Sequence, residues 1–392
     1  MKEKGLKILL VTPFLPYSGV PHAGGKLVFY LLGFLAERHR ISLVSRYFGG
    51  EEIHFPALRK IVAGLEAVPA EGPIRQGSVY SLLRTVASYR RLARKASEVL
   101  GREEFDLCQV EHTETGVFWK PIPGLPAILT CHDVIAKPAF RRYSVSRGIH
   151  CVVPWLSWRI ACMVEKRSLS NFRLIFTLSE EDKEWTARLY PATKARVLHY
   201  PGGIGFTGLP RQEVPNRVLF AGALNRPQNI EAVKFLWENV WPAVRAEVPD
   251  AEFWVAGGGA PPFLVSQLSG DPRVKVTGYV TDLEWLYKSA AVFVAPILTG
   301  GGIIVKILDA MAAGVPVVTT TYGNEGIRGV PGEDLLIADR SEEFARGVIS
   351  LLKDDVRRKM LGESARRLEE ERSSTPGLID TIEGVYRELV KK

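Results

Sequence analysis

The segment from Thr299 to Val318, TGGGIIVKILDAMAAGVPVV, combines a glycine triplet with one lysine and one acid in an otherwise apolar run. The spacing of its apolar residues predicts a short helix with one buried face, which Gly314 and Pro316 end. Glycines before a helix let an anion approach the unpaired amides, and Lys306 lies about one turn further on. Asp309 follows three residues later on the same helix. The segment predicts an anion site, with a tight loop and a surface Lys306–Asp309 ion pair as the alternative.

Loops after other β-rich runs of the second half carry residues suited to the same chemistry. In RVLFAGALNRPQN the guanidinium of Arg226 can clamp a phosphate, and in TTTYGNEGIRG the carboxylate of Glu325 can accept hydrogen bonds from ligand hydroxyls. WVAGGG and VTGYV end in two further glycine turns. A solvated loop residue is the alternative in each case. The residues of interest in these loops are Gly222, Arg226, Asn229, Gly258, Tyr279 and Glu325.

Two loops of the first half can carry chemistry as well. Gly24 and Gly25 open a helix after the first apolar run, where a glycine pair lets a ligand approach the amides. The spacing is not GxGxxG, so the dinucleotide fingerprint is absent. His132 ends the run AILTCHDV, where it could donate to a sugar oxygen or move a proton. A structural turn and a hydrogen-bonded core histidine are the alternatives.

The elements that must position these residues form two series of β-rich runs alternating with helical patterns. The first series is KILLVTPF, RISLVSRY, DLCQVE, AILTCHDV, LIFTLS and RVLHYP, and the second is RVLFAGAL, AEFWVAGG, VKVTGYV, VFVAPIL, VPVVTTT and LLIAD. This alternation predicts two doubly wound α/β domains with parallel sheets, facing a central cleft. The Gly- and Pro-rich stretch Pro201–Arg217 is the predicted linker. We expect one domain over residues 1–203, a second over 204–375, and a final helix at about 376–392 that packs on either domain.

The 392-residue chain is 46% hydrophobic and 24% charged, typical of a globular protein of two domains. Its four cysteines show neither CxxC nor metal-site spacing, and we expect no metal requirement. The net charge is +8, and the basic excess lies in the first half. That half is expected to face something anionic: lipid head groups, a phosphate-bearing substrate or nucleic acid.

Two amphipathic segments of the first half are basic and aromatic. These are Tyr80–Leu100 and the run VPWLSWRIACMVEKR, and both suit a membrane surface. A solvated helix face that covers the core is the alternative. No run of about 20 apolar residues occurs, so we expect no membrane span. Nucleic-acid binding is disfavoured, because RRM, KH and helix-turn-helix signatures are absent.

Taken together, these segments resemble the retaining GT-B glycosyltransferases of glycosyltransferase family 4. The strongest match is APILTGGGIIVKILDAMAAGVPVVTTTYGNEGI, similar to the family's donor-binding segment. GALNRPQN, VPDAEFWVAGGG, VKVTGYVTDLEWLYKSAAVFVAP and the opening TPFLPYSGVPHAGGK match in order, so the resemblance covers nearly the whole chain. KPAFRRY and residues 140–165 match no family feature.

The resemblance implies a role for each motif residue. Asp309 stands where the family usually has Glu and would bind the ribose hydroxyls of the donor. The family's sugar-binding Glu is replaced by Gly301, so the backbone amides of Gly301, Gly302 and Ile303 would serve the sugar or phosphate. The family's diphosphate-binding Arg and Lys are also replaced, by Ala223 and Gln228. Their positions suggest that Arg226 and Lys306 bind the diphosphate instead. His132 matches the family's active-site histidine. Gly24 and Gly25 match the loop near the donor phosphates and the acceptor.

The expected activity is transfer of a sugar from a UDP- or GDP-linked donor to an acceptor hydroxyl with retained anomeric configuration. No metal is expected, since no DxD-like motif is present. The acceptor would be a polysaccharide, a lipid-linked oligosaccharide or a lipid, and the enzyme cytoplasmic, on or near the inner membrane face. A non-catalytic sugar-nucleotide or glycan-binding relative is the main alternative, supported by Gly301 and Asp309.

Overall fold

The computed structural model describes residues 5–70, 79–208, 210–299 and 302–391. The chain divides into two compact units. Unit 1 contains residues 1–198 together with 375–392, and unit 2 contains residues 199–374. Within the described residues, no helix combines the length and the apolar character needed to cross a membrane.

Unit 1 alternates strands and helices around one sheet. In chain order its elements are β1 (Lys7–Thr12), α1 (Ala23–Arg38), β2 (Arg40–Tyr47), α2 (Phe55–Leu58), β3 (Gly64–Pro69), α3 (Val79–Leu100), β4 (Leu107–Glu111), α4 (Thr113–Gly116), β5 (Ala127–Cys131), α5 (Ala136–Val145), α6 (Val152–Leu169), β6 (Leu174–Thr177), α7 (Glu180–Leu189), β7 (Ala195–Val197) and, after unit 2, α16 (Thr375–Val390). The strand order is β3-β2-β1-β4-β5-β6-β7. All pairs in this sheet are parallel.

The sheet of unit 1 is covered by helices that turn apolar faces inward. Helix α1 buries Leu27, Leu31 and Leu35 at helical spacing. Strands β4 and β5 are buried along their whole length, as expected for central strands of a doubly wound sheet. Helix α16 returns to this unit and buries the side chain of Tyr386. The C-terminal helix therefore forms part of the unit 1 core.

Unit 2 repeats the same architecture. Its elements are β8 (Arg217–Ala221), α8 (Pro227–Phe235), α9 (Trp241–Glu247), β9 (Glu252–Ala256), α10 (Pro262–Leu268), β10 (Val274–Gly278), α11 (Leu283–Lys288), β11 (Val292–Ala295), α12 (Val305–Ala312), β12 (Val317–Thr319), α13 (Thr321–Asn324), β13 (Leu336–Ile337), α14 (Ser341–Lys353) and α15 (Asp355–Arg372), with a π-helical turn at Leu236–Val240. The strand order is β10-β9-β8-β11-β12-β13, again all parallel.

The predicted fold class, two parallel-sheet α/β domains of Rossmann type, is confirmed. Every strand predicted from sequence is present, and β3 is the strand that the sequence analysis missed. It is a half-buried edge strand, so its sequence lacks the apolar pattern of its neighbours. The predicted strand over 315–321 is shorter than expected, because Thr320 caps the helical turn α13 through its side chain.

The segment predicted as a linker, Pro201–Arg217, is bonded to unit 2. The Gly203 amide donates to Asp309, and the Arg211 guanidinium donates to the carbonyl oxygens of Ala290 and Gly314. A flexible linker would not hold such contacts. The second unit therefore begins at His199, before this segment.

Candidate active site

The first group of predicted site residues surrounds Lys306, the second residue of helix α12. Its Nζ lies 2.8 Å from Asn229 Oδ1 in the first turn of helix α8 and 4.4 Å from the ring centroid of Phe220. Asn229 is held in turn by a bond from its Nδ2 to the Ala223 carbonyl oxygen. A Cβ at Gly222 would lie 3.1 Å from Lys306 Nζ, so the glycine leaves room for the ammonium group. The loop after β8 and helix α12 thus meet in one wall at this edge of the sheet.

This wall carries two basic side chains, Lys306 and Arg226. Burial, together with the positive charge of Arg226, lowers the pKa of Lys306 to about 7. Among the described residues, no carboxylate forms an ion pair with Lys306 or Arg226. The alternative of a Lys306–Asp309 surface ion pair is therefore not what the structure shows. Two nearby cations without a carboxylate favour a bound anion, which would relieve their mutual repulsion.

Asp309 lies three residues further along α12 and has a different neighbour. Its Oδ1 accepts a 2.8 Å hydrogen bond from the backbone amide of Gly203. Its negative charge adds to burial in raising the pKa of Tyr200 and of Tyr287. Asp309 therefore ties the segment after unit 1 to helix α12, whatever it binds in addition.

The remaining predicted residues of unit 2 lie in loops after neighbouring strands. A Cβ at Gly258, after β9, would lie 3.5 Å from the Cβ of Tyr279, after β10. The Tyr279 side chain is 73% exposed and therefore open to a ligand. The backbone approaches itself closely here, since Gly257, at φ 148°, packs against the Gly222 carbonyl oxygen. The loops after β8, β9 and β10 are thus adjacent at one edge of the sheet.

The loop before α12 is described only in part. Gly301 lies outside the described residues, while Gly302 is buried in a left-handed conformation at φ 81°. A Cβ at Gly326 would lie 3.1 Å from Ile303 Cγ1 and 3.3 Å from the Gly302 carbonyl oxygen. Glu325 precedes Gly326 and follows the one-turn helix α13, so its backbone lies near residues 302 and 303, just before the start of helix α12.

The second group of predicted residues lies in unit 1 around His132, one residue beyond β5. His132 Nε2 lies 2.7 Å from Glu111 Oε2, and both side chains are buried. Glu111 Oε1 accepts hydrogen bonds from Gln109 Nε2 at 2.6 Å and from the Thr130 hydroxyl at 2.9 Å. The parallel register pairs Glu111 of β4 with Thr130 of β5, which brings Glu111 beside the end of β5. Glu111 was not identified from the sequence.

His112 is the other residue that the sequence analysis missed. Its ring stacks on that of His132 with centroids 3.9 Å apart and planes 6° from parallel. Its backbone adopts φ 69°, an unusual conformation for a residue with a side chain that concentrates at functional sites. Burial lowers the pKa of His112 well below its usual value, so the ring stays neutral. Its Nε2 is shielded from solvent and has no hydrogen-bond partner among the described residues.

Gly24 faces both histidines from the start of helix α1. A Cβ at Gly24 would lie 2.9 Å from His112 Nε2 and 3.3 Å from His132 Nδ1. Gly25, the next residue, donates its amide proton to His22 Nδ1, which caps the helix. The glycine pair is thus required by close packing against imidazoles. A sequence signal for this site existed: Gln109 and Glu111 are polar at i and i+2 in an otherwise apolar buried strand.

The predicted residues therefore collect into two groups, one at the carboxyl edge of each sheet. In α/β sheets of this kind ligands bind outside the carboxyl ends of the strands. The group in unit 2 is cationic, and the group in unit 1 is built from histidines and an acid. No cluster of three or more His, Cys, Asp or Glu with metal-site geometry occurs among the described residues.

Family models match both units. The model described as Glycosyltransferase Family 4 matches residues 24–204, and the model described as Glycosyl transferases group 1 matches residues 215–354. A Klebsiella pneumoniae protein described as an uncharacterized 44.6 kDa protein in the cps region is 31% identical over 144 residues. That alignment covers 35% of this chain and 37% of the relative.

Solved structures share the fold along nearly the whole chain. Anabaena HepE in complex with UDP and glucose superimposes with a TM-score of 0.67 at 15% identity, covering 98% of this chain and 100% of that chain. WaaG, a glycosyltransferase involved in lipopolysaccharide biosynthesis, gives a TM-score of 0.65 at 14% identity, with 98% and 99% covered. Glycosyltransferase family models thus match both units, and the chain has the GT-B fold of these solved structures.

Proposed function

We propose that this protein transfers a sugar from a nucleoside-diphosphate sugar to an acceptor hydroxyl, with retention of the anomeric configuration. The observation that carries the proposal is the cationic wall of Lys306 and Arg226 at the carboxyl edge of the unit 2 sheet. The diphosphate of such a donor would supply the negative charge that Lys306 and Arg226 do not receive from any carboxylate of the described residues. The related fold of HepE, whose structures contain UDP and UDP-glucose, supports a UDP-linked donor.

In the proposed reaction the bond between the anomeric carbon and the diphosphate breaks and a bond to the acceptor oxygen forms on the same face. The proton of the acceptor hydroxyl passes to the departing phosphate oxygen. Lys306 and Arg226 stabilise the negative charge that develops on the diphosphate, a role that a metal ion fills in other transferases. Asp309 accepts hydrogen bonds from the ribose hydroxyls, and His132 contacts the sugar.

Cell-surface polysaccharide or glycolipid synthesis is the proposed pathway. The relative in the cps region and the lipopolysaccharide enzyme WaaG support it. The main alternative is a sugar-nucleotide or glycan-binding protein without catalytic activity.

A panel of UDP- and GDP-linked sugars separates the two possibilities. Thermal shift identifies the nucleotide that binds, and release of nucleoside diphosphate in the presence of a membrane extract reports transfer. The enzyme releases diphosphate and labels the extract, whereas a binding protein shows the thermal shift alone. The anomeric coupling of the product sugar, measured by NMR, tests retention.

We further propose that unit 1 docks on an anionic membrane through helices α5 and α6. These helices carry a group of exposed large apolar side chains, here called the apolar face: Val145, Val152, Val153, Trp155, Leu156, Ile160 and Met163. Their inner side is occupied by an aromatic cluster in which Tyr143 and Trp158 stack at 5.4 Å. An apolar face on an amphipathic helix of this kind suits insertion into the head-group region.

Charge selects the partner for this face. Residues 134–164 contain no Asp or Glu, and Arg141, Arg142, Arg147 and Arg159 lie among them. Anionic lipids would complement these charges, while a second copy of the same face would be repelled. The face is also close to the unit 1 site in sequence and structure. Glu165 of α6 accepts hydrogen bonds from the amides of Ile135 and Ala136, three and four residues beyond His132.

Vesicle binding tests this docking without reference to activity. The wild-type chain should bind phosphatidylglycerol vesicles at low salt, with a blue shift of tryptophan emission, and bind phosphatidylcholine vesicles weakly. The double variant Leu156→Asp, Ile160→Asp should lose binding. The matched control is Val356→Asp, Met360→Asp on helix α15, whose side chains are at least as exposed. Equal binding by both double variants, or none by the wild type, rejects the proposal.

A further inference from the structure

A chain of hydrogen bonds runs behind His132 through the core of unit 1. It starts at the C-terminal helix, where the Tyr386 hydroxyl donates to Gln109 Oε1. Gln109 Nε2 then donates to Glu111 Oε1 at 2.6 Å, and Glu111 Oε2 contacts His132 Nε2 at 2.7 Å. All four side chains are buried. The reaction proposed above gives no role to Tyr386, Gln109 or Glu111.

The donor and acceptor roles along this chain have one consistent direction. A phenol bonded to an amide oxygen must donate, and the amide nitrogen of Gln109 must then donate onward. The Thr130 hydroxyl accepts from Gln109 Nε2 at 3.2 Å and donates to Glu111 Oε1 at 2.9 Å. Glu111 Oε1 therefore acts only as an acceptor. With no proton on Oε2, that oxygen accepts from His132 Nε2–H, which is the direction proposed below.

We propose that Glu111 is the positioning residue of His132, holding the imidazole in the Nε2–H tautomer so that a bare Nδ1 accepts a hydrogen bond from a substrate hydroxyl. Gln109 and Tyr386 extend this role by fixing the orientation of Glu111. This inference rests on the proposed function for the identity of the substrate, a carbohydrate, but the tautomer is a property of the free protein. A neutral imidazole with a bare Nδ1 recognises a hydroxyl and not a phosphate.

The surroundings of Nδ1 support this direction. The ring of His132 is fixed on one face by the parallel ring of His112 and on its Nε2 edge by Glu111. Its Nδ1 edge faces Gly24, where a Cβ would lie 3.3 Å away. Gly24 begins the loop and helix that the family resemblance places near the donor phosphates and the acceptor. The Nδ1 of the ring therefore lies beside the segment expected to border the substrate.

A purely structural role is the competing explanation for Glu111, since buried polar groups need partners in any core. The two explanations differ in what they predict for variants. A structural role predicts a loss of stability and nothing specific to His132. The positioning role predicts a change of tautomer at His132 and a loss of turnover with little change in donor KM.

Nitrogen-15 NMR of histidine-labelled full-length protein measures the tautomer directly, without substrate. The chain contains seven histidines, so His132 is assigned by the signal lost in His132→Asn. The wild type should show His132 protonated at Nε2 and bare at Nδ1 at neutral pH. Glu111→Leu should convert it to a mixture of tautomers. In Glu111→Gln the amide oxygen is taken by the donors Gln109 and Thr130, so the amide nitrogen faces His132 Nε2 and should shift the ring to the Nδ1–H tautomer. An Nδ1–H form in the wild type, or an unchanged tautomer in Glu111→Leu, overturns the proposal.

Tyr386→Phe provides a second variant that removes only one hydroxyl. It should lower kcat by several-fold with donor KM retained, and Glu111→Leu should lower kcat on the order of 10²-fold, within the range of misplaced acid–base groups. Tyr89→Phe, in the same unit but outside the hydrogen-bond chain, should match the wild type. Equal effects of Tyr386→Phe and Tyr89→Phe would contradict a role for this chain of hydrogen bonds in positioning His132. If no donor is ever transferred, the proposed function fails while the NMR result still tests the role of Glu111.

Discussion

Lys306 Nζ of helix α12 lies 2.8 Å from Asn229 Oδ1 of helix α8. This contact connects the helix that follows β8 to the helix that follows β11. The contact leaves the ammonium with further donors and places it near Arg226. Neither cation has a carboxylate partner among the described residues. The pair is therefore arranged for an anion that arrives with the substrate.

Lys306→Met should remove most of the transferase activity while the protein still folds. Methionine retains the apolar length of the side chain but cannot stabilise the departing diphosphate, a loss worth on the order of 10²–10³ in kcat. Radiolabelled sugar transfer measures the effect, and the melting temperature reports folding. The matched control is Lys234→Met, since Lys234 likewise lies over a ring, 5.0 Å from the centroid of Phe263. Wild-type turnover in Lys306→Met would show that Lys306 does not stabilise the departing diphosphate.

Binding of UDP should weaken as pH rises above about 7. In the free protein the pKa of Lys306 is about 7, because burial and Arg226 disfavour its charge. A bound diphosphate favours the charged form, so the pKa of Lys306 rises on binding and the complex takes up a proton. Affinity should fall by up to about tenfold per pH unit between about pH 7 and about pH 9. Calorimetry in buffers of different ionisation enthalpy measures the proton uptake.

Lys306→Arg is the control for this pH dependence, because an arginine stays charged throughout that range. Its UDP affinity should be flat in pH, even if it is lower overall. A pH-independent affinity in the wild type would show that Lys306 does not contact the phosphates.

Asp309→Asn and Asp309→Ala should separate two roles of this residue. Asn can still accept the Gly203 amide proton, so it should retain the stability of unit 2, while Ala should lose about 1 kcal/mol. If Asp309 also binds the ribose, Ala should lose the preference of the wild type for UDP over its 2′-deoxy analogue. Differential scanning calorimetry and competition binding measure the two effects. If Asp309→Ala keeps the preference for UDP over its 2′-deoxy analogue, Asp309 does not bind the ribose and serves only to accept the Gly203 amide hydrogen bond.

Gly24→Ala should reduce activity by displacing both histidine rings. The new Cβ would meet His112 Nε2 at 2.9 Å, which is closer than real Cβ contacts allow. Gly33→Ala in the same helix is the matched control, since nothing lies within 4 Å of its Cβ. The control should fold as well as or better than the wild type, because Ala favours helices over Gly. Similar kinetics for the two variants would argue against a role for the histidine pair.

The sequence predicted the fold well because both sheets are parallel and buried, so their strands read as continuous apolar runs. Strand β3 was not predicted, because it is an edge strand that is only partly buried and therefore lacks a continuous apolar run. The cationic group around Lys306 was predicted from loops that follow neighbouring strands. What the sequence did not show is the bond from Lys306 to Asn229 in place of an ion pair with Asp309.

Glu111 and His112 were missed for physical reasons. Glu111 and His132 are 21 residues apart, and only the register of β4 on β5 brings them into contact. Register within a parallel sheet depends on packing that a single sequence does not reveal. The left-handed backbone of His112 was also unpredictable, because that conformation is uncommon for a residue with a side chain.

The most direct test of the central claim is sugar transfer by three proteins: the wild type, Lys306→Met and Lys234→Met. Each is incubated with a panel of radiolabelled UDP- and GDP-linked sugars and a membrane extract as the source of acceptors. We predict that the wild type and Lys234→Met incorporate one labelled sugar, and that Lys306→Met incorporates at least about 10²-fold less. Incorporation of no sugar by the wild type, although a nucleotide raises its melting temperature, would contradict the account and identify a binding protein.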